Sequence, residues 1–322
     1  MPHPSRHGPA SLALCALLAA APVTVLAQSA QELAEREALA AEGLSAEQID
    51  AYLATKAQIL ESLDRRTGTI NLRKANATLV VPDNFYYLDA DDAQTVLVDI
   101  WGNPPGEKGL GMLFPAEYSP FDGDSWGVTI DWQEDGYVSD EDANEIDYDE
   151  LLGDLQQQTR EANRYRQEEG YPTVNLLGWA ERPYYDGGAH KLYWAKELSF
   201  EGMDQNTLNY DIRVLGRRGV LVLSFIAGME QKADIDASRE TVLAMAEFNE
   251  GDRYTDYVEG DKLAGYGIGA LVAGAAGFAL AKKGILAAVL IFLKKFGALI
   301  AVGAIAAARG LFGGKKKAEQ DA

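Results

Sequence analysis

Val174–Arg182 (VNLLGWAER), Lys191–Phe200 (KLYWAKELSF), Leu208–Leu215 (LNYDIRVL) and Val220–Ile226 (VLVLSFI) follow one another with short gaps between them. Each is rich in β-branched, aromatic and long apolar side chains, the composition of a half-buried pleated strand. Gly216-Arg217-Arg218-Gly219 closes the last pair as a short hairpin loop. The reading is four successive antiparallel strands. Lys196 beside Glu197, and Asp211 near Arg213, alternate charge along two of them, which suits cross-strand pairing.

Working back toward the amino terminus, Asp147–Glu168 predicts a helix. Tyr148, Leu151, Leu152, Leu155, Thr159 and Ala162 share its face, acids fill its first turn, Arg164 and Arg166 lie near its end, and Gly170 follows. Strands are expected near Gly111–Phe114 and Gly127–Gln133, then a turn at Glu134-Asp135-Gly136 and a strand at Tyr137-Val138. Asp89–Trp101 is read as a helix with Asp91 as cap and Gly102 as stop, against the strand character of Thr95-Val96-Leu97-Val98. Thr69–Leu72 and Thr78–Val81 predict two short strands around Lys74-Ala75-Asn76. Ala30–Asp64 is helical in pattern, broken at Gly43 and restarted by the capping box Ser45-x-x-Gln48. Beyond the strands, Ile235–Phe248 predicts a helix that Gly251 ends. Strands gathered after helices, without βαβ alternation, give an α+β fold: an antiparallel sheet packed with helices.

The expected organisation is a signal peptide over 1–27, a helical segment over 28–66, an exported domain over 67–251 and a juxtamembrane linker over 252–262. A transmembrane helix over 263–281 and a basic interfacial or cytoplasmic tail over 282–322 complete it. The 322 residues are 47% apolar and 24% charged, with one Cys and three His, which excludes a wholly disordered chain and a disulfide scaffold. Net charge is −20, and its partition is steep. Residues 28–262 hold 20 basic and 47 acidic residues, whereas 263–322 hold eight basic and two acidic ones. So acidic a body repels phosphate backbones, and no nucleic-acid partner is expected.

Arg6, the apolar run Ser11–Ala21 and Val25-Leu26-Ala27 have the order of a secretory leader and its cleavage site. Cleavage there removes Cys15, and with it thiol chemistry and Cys-ligated zinc. Leu263–Ala281 is 19 residues without a charge, about 28 Å as a helix at 1.5 Å per residue. Lys282 and Lys283 follow, which would place that end in the cytoplasm and the acidic body in the periplasm of a bacterial inner membrane. Gly265, Gly269, Ala273 and Gly277 would then form a small-residue stripe suited to helix–helix contact and a homo-oligomer. Lys282, Lys283, Lys294 and Lys295 would meet lipid headgroups from an interfacial tail; a second span over 285–308 is the alternative.

Chemistry is sparsely signalled. His190 is the one His outside the leader, and it lies across Gly187-Gly188 from Asp186; the two are the candidate general acid–base pair. The competing reading is a hairpin-end His beside a loop carboxylate. Trp101, Asn103, Trp179, Tyr184, Tyr185 and Trp194 are candidates for ligand stacking, with core packing as the alternative role. Asp131–Asp142 copies part of a twelve-residue calcium loop but carries Gln at its third position and Asp at its twelfth. No metal site and no cofactor is expected.

Several phrases together are similar to a known family. They are Trp101-Gly102-Asn103-Pro104-Pro105, Gly136-Tyr137-Val138 with Asp140, Gly178-Trp179, and His190-x-Leu192-x-Trp194-Ala195. Leu208-Asn209-Tyr210 with Arg213-x-Leu215-Gly216-Arg217-Arg218-Gly219, and the Gly/Ala-rich stretch near the end, belong to the same set. From Thr67 onward the chain resembles domain-of-unknown-function family 2167, bacterial membrane-anchored proteins. The resemblance implies inner-membrane anchoring and an exported domain, and it implies no reaction. The expectation is an envelope interaction module bound to the lipid bilayer, with an envelope protein or ligand as partner. The alternatives are a periplasm-facing hydrolase using His190 and Asp186, and a membrane-stress or lipid sensor.

Overall fold

A computed structural model describes residues 23–101, 106–168 and 172–274. The chain divides into two units after Ala54. In the first, α1 (Val23–Ala41) turns into α2 (Ala46–Ser62), which runs on through the division. The capping box forms: Ser45 N–H donates to the Gln48 side-chain oxygen at 2.9 Å, and Gln48 N–H to Ser45 Oγ at 3.3 Å. Arg36 on α1 reaches Asp50 on α2 at 2.7 Å, and Leu39 and Ile49 are buried.

The second unit begins with β1 (Gly68–Leu72), β2 (Ala77–Val81) and β3 (Phe85–Asp89). Then come α3 (Ala90–Gln94), a π-helical turn over Thr95–Ile100, β4 (Gly111–Pro115), β5 (Gly127–Gln133) and β6 (Tyr137–Ser139). After α4 (Tyr148–Glu168) the long strands follow: β7 (Val174–Asp186), β8 (Lys191–Phe200), β9 (Thr207–Leu215) and β10 (Val220–Gly228). The last elements are α5 (Lys232–Met245), β11 (Ala246–Phe248), β12 (Leu263–Gly267) and α6 (Ile268–Ala273).

Seven strands make one antiparallel sheet in the order β3-β4-β5-β10-β9-β8-β7. The four strands first read from sequence are its consecutive half, and the 216–219 loop closes with Gly216 N–H donating to Gly219 O at 2.9 Å. Pro183 is tolerated in β7 because β7 is an edge strand, and its register is bulged there.

The sheet's two faces are set by alternation. Val128, Ile130, Tyr210, Ile212, Leu221, Leu223 and Phe225 point one way, onto the small antiparallel sheet β1-β2-β11 and Ile235, Val242 and Met245 of α5. The opposite face is covered in patches. Leu88, Met112 and Phe114 meet Leu63, Val96, Ile100 and Trp101 at one end. Leu192, Trp194, Leu215, Val220 and Val222 meet Val138, Ile268, Leu271 and Val272 at the other. Leu155 of α4 covers Leu176, Leu198 and Phe200.

Four expectations need correction. Asp89, not Asp91, caps α3: its Oδ1 accepts from Asp91 N–H at 3.0 Å and Asp92 N–H at 3.2 Å. On α4, Asn163 and Arg166 turn inward, where Asn163 pairs with the backbone of Val174, while Ala162 is exposed. The helix after β10 stops at Met245, and 246–248 form β11 instead, because β2 offers a free edge.

The fourth correction is larger. The first twelve residues of the expected membrane helix are part of the folded body. Leu263–Gly267 is β12, paired in parallel with β6, and Ile268–Ala273 is a six-residue helix ended by Gly274. Ile268, Leu271 and Val272 are all but fully buried. An uncharged apolar run satisfies a protein core as well as it satisfies lipid, so composition alone does not separate the two. Among the described residues no helix is long and apolar enough to cross a membrane. The rest of the expected helix, from Ala275, and the basic tail lie outside the described residues.

Candidate functional site

At one end of the large sheet the β7–β8 turn, the β9–β10 loop and the β5–β6 turn meet the segment 249–274. His190 closes the β7–β8 turn in a left-handed conformation, φ 53°, and its carbonyl accepts from Leu215 N–H at 2.9 Å. Its ring stacks on Tyr254 with centroids 4.3 Å apart. Tyr254 stacks on Tyr137 at 4.4 Å, and Tyr137 lies 4.3 Å from Tyr257. Four rings thus form one continuous column.

His190 does not pair with Asp186. The Asp186 Oδ1 accepts from Gly188 N–H at 2.8 Å and Ala189 N–H at 3.1 Å, so that carboxylate builds the turn. The partner of the imidazole is Tyr185, whose hydroxyl lies 3.2 Å from Nδ1 and donates to Asp140 Oδ2 at 2.7 Å. With the phenol hydrogen committed to Asp140, the phenol oxygen can only accept in its contact with His190 Nδ1. Burial, then the hydrogen bond to Asp140, raises the Tyr185 phenol above its ordinary range, so it stays a neutral donor. Burial likewise raises Tyr254, whose hydroxyl donates to Val138 O at 2.8 Å.

The 249–274 segment is pinned along its length. Arg217 grips both oxygens of Asp261 at 2.7 and 2.8 Å, and Arg218 grips Asp252, which also accepts from Asn76. Tyr266 donates to Asp135 at 2.5 Å. Asp142 accepts from Ile268 N–H at 2.9 Å and Gly269 N–H at 3.1 Å, capping α6 from outside its own element. Three acids of the calcium-like stretch are therefore engaged separately: Asp135 with Tyr266, Asp140 with Tyr185, Asp142 with α6. Asp131 is not with them; it sits on β5, on the patchily covered face of the sheet.

Of the six proposed stacking residues, only Tyr185 joins His190. Trp101 is a core residue, 1% exposed, with Nε1 donating to Pro120 O at 2.9 Å. Trp194 is equally buried, under the Arg213 guanidinium at 4.9 Å. Trp179 is half-buried and donates to Tyr148 O at 3.0 Å. Tyr184 is 55% exposed and tilts on Tyr193 at 5.3 Å. Asn103 lies outside the described residues. Gly265 is in β12 while Gly269 and Ala273 are in α6, so they do not form one helical stripe; Gly277, Lys282, Lys283, Lys294 and Lys295 lie outside the described residues.

Sequence reasoning missed Tyr137, Asp140, Tyr254 and Tyr257 as neighbours of His190. It also missed a polar strip at the centre of the sheet, where Asp211 is 8% exposed. Asp211 accepts from Ser224 Oγ at 2.6 Å and from Arg213 Nη1 at 3.1 Å, and Lys196 Nζ is 4.0 Å away. Burial pushes the Asp211 carboxyl up, but Arg213, Lys196 and Ser224 outweigh it, and the net direction is down. The signal was present in the alternation of Lys196, Asp211 and Arg213, but rows across four strands need register to be seen.

The profile of the family described as protein of unknown function DUF2167 matches residues 64–306. The chain belongs to this family. The match takes in the whole large sheet, the pinned segment and much of the chain beyond Gly274. No curated protein matches the sequence significantly. Among solved structures, the chain is similar to the solution structure of cyanobacterial PsbP from Synechocystis sp. PCC 6803, at 12% identity and a TM-score of 0.32. That likeness covers 58% of this chain and 93% of the other. It is also similar to the Ran-binding protein Mog1p of Saccharomyces cerevisiae, at 12% identity and a TM-score of 0.30, covering 61% of this chain and all of that one.

Proposed function

We propose that the chain is an exported envelope protein whose acidic α+β domain is an interaction module, attached to a lipid surface by the residues after Gly274. One observation carries the interaction reading: the groups that sequence offers for chemistry are consumed in structure. Asp186 builds its own turn, and His190 is packed on Tyr254 and tied to Tyr185. A hydrolase built on His190 and Asp186 would need the two side chains joined.

With Leu263–Gly274 inside the body, seven residues remain before Lys282, too few to span a bilayer. Attachment then rests on the apolar runs Gly284–Leu293 and Phe296–Ala308, divided by Lys294-Lys295. Such a pattern suits an interfacial position with Lys headgroup contacts. Export rests on the leader-like 1–27 alone, since the charge-asymmetry argument falls with the span.

Fractionation of spheroplasts tests the proposal. The full chain is expected in the membrane pellet, and a chain ending at Gly274 is expected in the periplasmic fraction. Recovery of the full chain as a freely soluble protein, or of the shortened chain in the cytosol, rejects it. A hydrolytic activity abolished in His190→Ala with folding intact rejects the interaction reading in favour of an enzyme.

A further inference from the structure

The polar strip has an order that only register reveals. Asp131, Val222 and Arg213 face one another across β5, β10 and β9. One row along, Thr129, Ser224, Asp211 and Trp194 do the same across β5, β10, β9 and β8. In the third row Asn209 stands opposite Lys196. Residues two apart in a strand share a face, so these rows lie side by side on the same surface. Asp131 and Arg213, two strands apart, have Cα atoms about 10 Å from each other.

Charge on this surface is only partly spent. Asp211 takes up Ser224 and one Arg213 nitrogen. Lys196 has its nearest carboxylate at 4.0 Å, beyond hydrogen-bond range, although its side chain is only 22% exposed. Asp131 accepts no hydrogen bond from any described residue, and its carboxylate lies so close to Gly109 that a Cβ there would come within 2.4 Å of it. Burial raises the Asp131 carboxyl against the opposing pull of Arg213, and lowers the Lys196 amine against that of Asp211. The Arg213 guanidinium is held over the Trp194 ring, 4.9 Å from its centroid.

We propose that this strip is a binding site for a small zwitterion, a molecule with one cationic nitrogen and one carboxylate. The nitrogen donates to Asp131, and the carboxylate accepts from Lys196 and the free N–H groups of Arg213. Either charge alone would leave one side of the strip unpartnered, so both together are what it selects. The site is independent of whether the tail meets lipid.

Calorimetry on the full chain in detergent micelles tests this with glycine, 4-aminobutyrate and 6-aminohexanoate, against butylamine and butyrate as single-charge controls. At least one amino acid is expected to bind about tenfold or more tightly than either control. Asp131→Asn, nearly isosteric, is expected to weaken that binding by about tenfold or more. The proposal fails if no amino acid gives heat at millimolar concentration, or if butyrate binds as well as the best of them. It also fails if Asp131→Asn keeps full affinity with unchanged near-ultraviolet circular dichroism. The wild-type comparison decides the question even where the variant does not fold.

Discussion

Asp142 performs from a distance what a helix usually obtains from its own preceding residue. Its two oxygens hold the first N–H groups of α6, 126 and 127 positions along the chain. Asp142→Ala is expected to destabilise the second unit by about 1 kcal/mol, the usual worth of a cap, read as a lower midpoint in urea unfolding. Asp261 makes a pH-dependent contribution. The hydrogen bonds from Arg217 bring its carboxyl to about 2 from an ordinary 3.8. A depressed folded value means the bridge stabilises fully above about pH 4 and is lost as pH falls toward 2. In Asp261→Asn this part of the acid sensitivity should be missing from a pH series of unfolding curves; an unchanged series would show that the bridge contributes nothing. None of these pairings was legible in sequence. Asp186 lies four positions from His190 and was the natural partner, but the carboxylate that reaches His190 through Tyr185 is Asp140, fifty residues earlier.

Among elements, α5 ends in a manner the sequence conceals. Lys191, on β8 and 8% exposed, sends its ammonium to Leu243 O at 2.6 Å and Ala246 O at 3.3 Å, with Glu247 at 3.2 Å. It caps the carboxyl-terminal carbonyls with a charge of the favourable sign. Lys191→Met keeps the stem but removes the donors and should cost about 2 kcal/mol in chemical denaturation. The β5–β6 turn is equally constrained. Gly136 has φ 106°, and a Cβ on it would stand 2.5 Å from Lys262 O, so Gly136→Ala should cost about 2 kcal/mol or more and loosen β12 from β6. Those are changes in elements that local pattern could not supply. What it did supply is β7–β10, where alternation and a glycine-flanked loop act within a few residues, and α4, where period and caps agree. β3 escaped notice because Phe85–Leu88 is uniformly apolar and has no alternation to read; all four are buried. β11 was hidden because Ala-Glu-Phe continues a helical pattern until an edge strand claims it.

The whole molecule has its boundary in a different place from the one composition marks. Hydropathy ends the folded domain at Gly251 and starts a membrane helix at Leu263, yet packing continues to Gly274. A chain ending at Gly274 keeps β12 and the buried side chains of α6. One ending at Lys262 loses the buried Ile268, Leu271 and Val272, each worth about 1.5–3 kcal/mol, and should unfold several degrees lower or fail to fold. Equal melting of the two would mean that β12 and α6 add nothing to the core. The α+β class was legible because it depends on the order of strand and helix patterns alone. The end of the body was not, because core and bilayer draw on the same apolar vocabulary. Between the last ring of the His190 column and Gly274 the backbone is stitched down at Asp261, Tyr266 and Ile268, leaving little slack for a protease to seize. A head on a loose stalk can be severed by one cut below it; up to Gly274 this body offers no such stalk, so cleavage there would first require that the pinned segment itself come undone.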